Sequence, residues 1–446
     1  MFDLDPDQYR PFVGTYRLSA DRQATLGLEC DPNWKPFTYF YQEGERLVRL
    51  YPLSATSLLS ERGETILLGT GVSGEGPHLT WRESGATPVA ASRRNTHREE
   101  DVCIPSSEVT LAGTLLLPQT STPCPAVVLV HGSIPSLRDY YRVFAQPFVQ
   151  QGIAALIYDK RGYGASTGSP DSNLEERAAD AQAAVTFLQT RQDIDPRRVG
   201  LWGYSNGTWS IPRVAVRLSD RLAFLIAVGA AGVTMARAEV YRKLCQLREW
   251  GIADSVLTQV ERAWSIIYEY AASGQWNERW DEEFEPLVRK LHTVEELHRI
   301  PLQQYALDNP VLSPIPPLLT ARQLKEGYGG LAPDLAYDPI EDYERVRCPV
   351  LFLMGELDRN LPPQECVGRV KQALQRGNHP PSTIQVFPQT GHAMNVISSS
   401  IEGMTMEEAT HLLYQYRFTP GFLDLMSRWV VEQVGHPTEG DGSSVG

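Results

Sequence analysis

Residues 199–207 read Val-Gly-Leu-Trp-Gly-Tyr-Ser-Asn-Gly, and this stretch decides the fold. Its apolar first half predicts a strand that is buried on both faces. Its last five residues have the form Gly-x-Ser-x-Gly, in which small residues allow a sharp turn from a strand into a helix and expose the serine. The sequence from Thr208 onward can enter that helix, although Pro212 should bend or interrupt it. This context makes Ser205 a candidate nucleophile.

Strands and helices alternate on both sides of this stretch, from Glu99 onward. The alternation is typical of a mainly parallel sheet that helices cover on both faces. The predicted strands are continuous apolar runs at residues 109–117, 126–130, 154–158, 199–202, 224–228, 350–354 and 384–387. A helix that covers the sheet is predicted by an apolar stripe at three- and four-residue spacing, formed by Leu174, Ala178, Ala181, Val185 and Leu188.

Two regions depart from this alternation. The first 95 residues contain short β segments broken by turns, which predicts a small antiparallel β domain whose role is open. The stretch between the strands at 224–228 and 350–354 is helical in pattern and rich in aromatic residues, so we expect an inserted helical cap. The predicted organisation is a β domain (1–95), a first part of the α/β core (96–232), the cap (233–340), a second part of the core (341–436) and a disordered tail (437–446).

The composition is that of an ordinary globular protein, with 42% hydrophobic and 21% charged residues. A formal net charge of -13 argues against a nucleic acid partner, because phosphate binding requires clustered Lys and Arg. The start of the chain carries acids where a signal peptide has positive charge, and no apolar run reaches the length of a membrane-spanning helix. We therefore expect a cytoplasmic protein without membrane association, whose oligomeric state is open.

The six cysteines lie far apart, with no Cys-x-x-Cys pair and none beside a histidine, so neither a zinc site nor a disulfide framework is predicted. Residues 162–168 are rich in glycine but lack the spacing of a dinucleotide or phosphate loop. Neither a His-Glu-x-x-His motif nor a calcium-loop pattern is present. We expect no cofactor and no metal.

A serine nucleophile needs a base, and histidine suits that task. His392 follows the last predicted strand, which matches the chain order Ser, Asp, His expected when the serine lies on such a turn. The imidazole in turn needs a carboxylate that fixes its tautomer. Asp358 is the candidate, because it lies in the loop after the strand 350–354, and Glu356 is the alternative.

The negative oxygen of a tetrahedral intermediate must be met by backbone N–H groups that are already in place. One donor is the N–H of Asn206, at the start of a helix whose dipole favours negative charge. The other is expected in the turn after the strand 126–130, where the N–H of Ser133 is favoured and that of Ile134 comes next. His131 lies in the same turn, and its position before the glycine suits a role in holding the loop better than the role of the base.

These residues together resemble the α/β-hydrolase family, nearest to the esterase and prolyl-oligopeptidase-like branch that includes dienelactone hydrolase relatives. The resemblance covers about residues 99–232 and 340–436. It rests also on residues 159–166, Asp-Lys-Arg-Gly-Tyr-Gly-Ala-Ser, which in similar enzymes form a turn supporting the floor of the active site. It implies an α/β-hydrolase fold with a mainly parallel central sheet. Relatives often have Gln and two glycines where this chain has Asn206, Gly207 and Thr208, and they usually have Gly where Ile134 stands, so the chain departs from the branch at positions 206, 208 and 134.

The residues and the resemblance predict a serine hydrolase that cleaves a carboxylic ester through Ser205, His392 and Asp358, with an acyl-enzyme intermediate. The expected partner is a small-molecule acyl substrate. A peptidase or amidase and a thioesterase use the same three groups and remain open. A non-catalytic ligand-binding protein of the same fold is the alternative from a different class.

Overall fold

A computed structural model of the chain describes residues 10–20, 22–29, 38–44, 46–54, 56–60, 63–70, 77–82, 85–93, 97–120, 123–300, 313–397 and 418–435. The chain divides into two compact units. The first comprises residues 1–230, 345–356 and 378–446, and the second comprises residues 231–344 and 357–377. The expected tail at 437–446 lies outside the described residues.

The first unit begins with a closed antiparallel barrel, because β1 pairs with β8 as well as with β2. Its strands are β1 (Gly14–Arg17), β2 (Gln23–Glu29), β3 (Thr38–Glu43), β4 (Arg46–Ser54), β5 (Ser57–Ser60), β6 (Thr65–Thr70), β7 (Pro77–Arg82) and β8 (Val89–Arg93). Alternate residues point inward, and Leu50, Leu58, Ile66 and Leu79 are fully buried there. This apolar interior is the core of the β domain that the sequence predicts.

A second, eight-stranded sheet follows in the same unit. Its strands are β9 (His97–Ser106), β10 (Val109–Pro118), β11 (Cys124–Val130), β12 (Ala154–Tyr158), β13 (Ile194–Tyr204), β14 (Leu225–Val228), β15 (Val350–Gly355) and β16 (Thr383–Phe387). They lie in the order β16-β15-β14-β13-β11-β12-β10-β9. The six from β16 to β12 are parallel to one another. At the other edge, β10 is antiparallel to both of its neighbours, β12 and β9. The expected mainly parallel sheet is confirmed.

Helices cover this sheet, and their starts follow from local sequence. The helices of the first unit are α1 (Arg142–Gln150), α2 (Leu174–Gln189), α3 (Gly207–Leu218) and α11 (Phe422–Val434). Asn173 caps α2 by accepting the N–H of Glu176 at 2.9 Å, and the Glu176 carboxylate accepts the N–H of Asn173 in return. α3 runs through Pro212 without interruption.

The second unit is helical. Its helices are α4 (Met235–Glu249), α5 (Asp254–Ser273), α6 (Arg279–Leu291), α7 (Glu295–His298), α8 (Ala321–Tyr328), α9 (Ile340–Arg345, whose last residue belongs to the first unit) and α10 (Pro363–Arg376). The amphipathic pattern of α5 places Trp264 and Ile267 in a core with Phe284 of α6. Both segments of this unit leave the first unit just after a sheet strand ends, at β14 and at β15.

The expected α/β-hydrolase architecture, with a helical insertion and an antiparallel β domain before the core, is confirmed. The carboxyl ends of parallel strands meet at one edge of a sheet, so the loops after β11, β12, β13 and β16 lie along the same edge. Among the described residues, none of the helices combines the length and the hydropathy needed to span a bilayer.

Candidate active site

Ser205 lies between the end of β13 and the start of α3, with a φ of 50°. A positive φ is uncommon for a residue with a side chain, and it turns the chain sharply enough to expose the hydroxyl. The glycines on either side allow this turn. A Cβ on Gly203 would lie 2.8 Å from Ile211, and one on Gly207 would lie 2.6 Å from the carbonyl oxygen of His131.

The structure brings His392 to Ser205. The imidazole Nε2 lies 2.8 Å from the Ser205 Oγ, which is hydrogen-bonding distance. His392 follows β16 in a tight loop, in which the Gly391 N–H donates to the Asn395 carbonyl at 2.9 Å. Gly229 packs against the ring, and a Cβ there would lie 3.1 Å from the imidazole Cε1. At this distance the imidazole can accept the hydroxyl proton when its own ring proton is on Nδ1.

Asp358 belongs to the second unit, three residues after β15 ends at Gly355. The side chain is buried, with 2% of its surface exposed. Its Oδ1 accepts the N–H groups of Asn360 at 2.8 Å and Leu361 at 2.9 Å. The hydroxyl of Tyr241 donates to its backbone carbonyl at 3.2 Å. These contacts fix the orientation of the carboxylate within its own loop.

Glu356, the alternative acid, lies in the first unit and is exposed. Its backbone N–H donates to the Phe387 carbonyl at 2.9 Å. Its Oε2 accepts the N–H of Gln389 at 3.1 Å. The carboxylate therefore holds the start of the loop that carries His392, which is a structural contact rather than one with the imidazole.

The turn at residues 131–134 passes beside Ser205, since a Cβ on Gly132 would lie 3.5 Å from the Ser205 Cβ. The Gly132 N–H donates to the hydroxyl of Tyr141 at 3.0 Å and is therefore occupied. Within the described ranges, the N–H groups of Ser133, Ile134 and Asn206 make no hydrogen bond. The two donors predicted from the sequence, on Ser133 and Asn206, are thus available to a ligand.

His131 is not placed to act as a base. It is buried, and its Nε2 lies 2.5 Å from the carbonyl oxygen of Tyr158. Burial lowers the pKa of His131 to about 3, so the ring stays neutral at working pH. Its ring also meets those of Tyr141 and Tyr158 edge to face. These contacts hold the turn against the end of β12.

Lys160 and Tyr141 contact the turn at 131–134, and sequence reasoning did not assign either to the site. Lys160 was placed in a structural turn, and Tyr141 carried no motif. The signal that identifies Lys160 is structural, because β11 and β12 are neighbours in register, with Val128 opposite Leu156. Continuing that register two residues past each strand brings Lys160 opposite Gly132. Among the described residues, no three His, Cys, Asp or Glu side chains converge as metal ligands would.

The alpha/beta hydrolase family profile matches residues 127–400, which is more than half of the chain. The quorum-quenching protein AidA of Acinetobacter baumannii is 33% identical over 128 residues, 28% of this chain and 42% of that protein. The thiohydrolase apmlB of Arthrinium phaeospermum is 37% identical over 111 residues, 24% of this chain and 36% of that protein. The chain thus matches less than half the length of these relatives.

Among solved structures, Est1E of Butyrivibrio proteoclasticus with bound ferulic acid is similar at a TM-score of 0.42 and 16% identity. That comparison covers 75% of this chain and 99% of the other. The family profile spans both the strand before the turn at 131–134 and the loop that carries His392. With the sheet order described above, this match shows that the chain belongs to the alpha/beta hydrolase family.

Proposed function

We propose that the protein is a serine hydrolase that cleaves a carboxylic ester through an acyl-enzyme intermediate. The observation that carries this proposal is the 2.8 Å contact between the Ser205 Oγ and the His392 Nε2, on a serine held at positive φ. A hydroxyl is a weak nucleophile, and an imidazole in hydrogen-bonding contact is the group that activates it. Membership of the alpha/beta hydrolase family supports hydrolysis as the reaction class.

In the first step, His392 takes the Ser205 proton as the Oγ attacks the carbonyl carbon of the ester. The carbonyl oxygen becomes negative, and the N–H groups of Ser133 and Asn206 donate to it. The C–O bond to the alcohol then breaks, and His392 gives its proton to the leaving oxygen. In the second step, water loses a proton to His392 as its oxygen attacks the acyl carbon. The bond from that carbon to the Ser205 Oγ then breaks, His392 returns the proton to Oγ, and the acid is released.

We assign Asp358 as the acid that orients His392. The assignment rests on its place in the chain, directly after β15, and on its burial. A buried carboxylate in this role fixes the tautomer of the histidine and stabilises the imidazolium that forms.

We propose a small-molecule acyl compound as the substrate and the helical insertion as a cap. The cap assignment is supported by connectivity, because both segments of the second unit follow the carboxyl ends of sheet strands. Ligands of open α/β sheets bind at that edge. A thioester is the second candidate, since one relative that is 37% identical over the matched segment is a thiohydrolase.

Ser205→Ala tests the proposal together with a fluorophosphonate probe, which reacts readily only with an activated serine. We expect the wild type to be labelled and Ser205→Ala to be unlabelled, with hydrolysis of p-nitrophenyl esters reduced by at least about 10⁴-fold. Ser210→Ala is the matched control, because its buried hydroxyl has no hydrogen-bond partner among the described residues.

A panel of p-nitrophenyl esters, the corresponding thioesters and anilides then separates the substrate classes. We expect kcat/KM to be highest for the esters. Preference for a thioester would replace the ester assignment by the second candidate. An unlabelled wild type that hydrolyses no member of the panel would contradict the proposed function as a whole.

A further inference from the structure

Lys160 lies buried behind the turn at residues 131–134. Its Nζ donates to the carbonyl oxygens of Ser133 at 2.8 Å and Gly132 at 3.1 Å, and that of Ile134 lies at 3.5 Å. The residue is only 8% exposed, and in the described part of the chain no carboxylate pairs with the ammonium. A buried cation is costly unless it is satisfied, and here backbone carbonyls of one turn provide its hydrogen bonds.

These contacts fix the direction of two N–H groups. A trans peptide unit is planar, so its C=O and N–H point in opposite directions. The Gly132 carbonyl shares a peptide unit with the N–H of Ser133, and the Ser133 carbonyl shares one with the N–H of Ile134. Because Lys160 holds both carbonyls on its own side, both N–H groups point away from it. A cation on the carbonyl oxygen also polarises the peptide unit and strengthens its N–H as a donor.

The backbone of Lys160 is itself held in place. Its N–H donates to the Ser136 carbonyl at 3.2 Å, and its carbonyl accepts the N–H of Tyr163 at 2.9 Å. Burial lowers the pKa of Lys160 to about 8, and the positive charge of Arg177 acts in the same direction. A shift in this direction means that the fold disfavours the ammonium relative to water. An apolar side chain would avoid that cost but would leave the carbonyl oxygens of Gly132 and Ser133 without this donor, so the lysine is tied to the turn.

We infer that Lys160 is a positioning residue for the oxyanion donors, which sets the peptide planes of the turn so that the N–H of Ser133 faces the reacting carbonyl. The inference rests on the proposed function, because it assigns the second oxyanion donor to this turn. It gives residues 159–166 a part in transition-state stabilisation through the turn, beyond the structural role that the resemblance implied. Lys160 itself is not placed in contact with the substrate.

The test compares Lys160→Met and Lys160→Arg with the wild type. The readouts are the rate constant for labelling by a fluorophosphonate, kcat and KM for p-nitrophenyl butyrate, and the melting temperature. For Lys160→Met we expect labelling and kcat to fall roughly 10- to 100-fold, with KM within about threefold, because an oxyanion donor acts in the transition state. Lys160→Arg keeps a cation with several donors and should recover most of the loss.

Lys371→Met is the matched control, because that lysine is exposed on α10. It should leave all readouts unchanged. Lys160→Met with kcat and labelling within about threefold of the wild type, and an unchanged melting temperature, would overturn the inference. Equal losses in Lys160→Met and Lys160→Arg, both folded, would overturn it as well, because the cation would then be irrelevant.

If Lys160→Met does not fold, kcat of the wild type and of Lys160→Arg from pH 7 to pH 9 decides. A kcat of Lys160→Arg that stays level where that of the wild type falls supports the inference, and parallel profiles contradict it. The two proposals fail differently. A wild type that the probe does not label overturns the proposed function and the inference together, whereas a labelled wild type with an equally reactive Lys160→Met overturns the inference alone.

Discussion

The elbow at residues 203–207 is held by backbone packing, whereas the turn at residues 131–134 is held by side chains from elsewhere in the chain. In the elbow, neither glycine leaves room for a Cβ, because Gly203 packs against the side chain of Ile211 and Gly207 against the backbone of residues 130–131. In the turn, Lys160 and Tyr141 bind backbone groups across 28 and 9 residues of sequence, respectively. The proposed nucleophile, Ser205, therefore has a local sequence signature, while the proposed oxyanion donor on Ser133 depends on distant partners.

The largest effect should come from disturbing the packing that joins the two regions. A Cβ in Gly207→Ala would lie 2.6 Å from the carbonyl oxygen of His131 and 2.9 Å from that of Val130. Both are backbone atoms, so no side-chain rotation relieves the clash, and elbow and turn must separate. We expect the free energy of unfolding to fall by about 1–3 kcal/mol. We expect kcat to fall roughly 100-fold, since a displacement of an ångström can cost that much.

Chemical denaturation and steady-state kinetics check this prediction. Gly368→Ala is the control, because no atom lies within 4 Å of a Cβ at that position on α10. It should be neutral or slightly stabilising. Normal kcat in a folded Gly207→Ala would show that activity does not depend on the close contact between the elbow and the turn.

A smaller effect is expected from pH, and it concerns the turn alone. The ammonium fraction of Lys160 falls as pH rises through about 8. The hydrogen bonds from the ammonium to the turn are therefore fully present only below that pH. Wild-type kcat should fall by up to about tenfold from pH 7 to pH 9, and Lys160→Arg should stay flat because the guanidinium remains protonated. The groups that act electrostatically on Lys160 are Arg177 of α2 and His131 after β11.

His131 stays neutral and Arg177 stays charged over this range, so neither produces the change. The measurement is kcat against pH for both proteins, with the rate of Ser205→Ala subtracted as the uncatalysed background. Parallel profiles for the wild type and Lys160→Arg would show that Lys160 is not the titrating group.

The smallest loss of activity is expected from Tyr141→Phe. This change removes the acceptor of the Gly132 N–H and leaves a buried donor unsatisfied, which costs about 1–3 kcal/mol of unfolding free energy. Lys160 still holds both carbonyls, so kcat should fall by less than about tenfold. Tyr268→Phe is the control, because its buried hydroxyl has no partner among the described residues. A greater loss of kcat in Tyr141→Phe than in Lys160→Met would show that Tyr141 contributes more than Lys160 to holding the turn.

Sequence reasoning found the parts whose cause is local. The apolar runs at 126–130 and 154–158 predict β11 and β12 because strands that are buried on both faces are apolar over nearly their whole length. The pattern around Ser205 predicts the elbow because only small residues fit beside it. The 2.8 Å contact with His392 agrees with the expected chain order.

The other parts of the site depend on which strands become neighbours. Lys160 reaches the turn because β12 lies next to β11, and no pattern within either segment specifies that pairing. The assignment of Asp358 to His392 stays a prediction, supported by chain order and by the loop that holds the carboxylate. The sequence alone leaves Glu356 open as the acid, whereas its hydrogen bond with the N–H of Gln389 in the structure argues against that role.

Closure of the N-terminal barrel limits how two copies of the protein could associate. Since β1 pairs with β8, each barrel strand has a neighbour on both sides, and the barrel presents no open edge to another chain. Among the strands that the structure describes, only β9 and β16 end a sheet. Strand addition between copies would therefore run through one of these two edges, and addition at β16 would involve the strand that leads into the loop of His392.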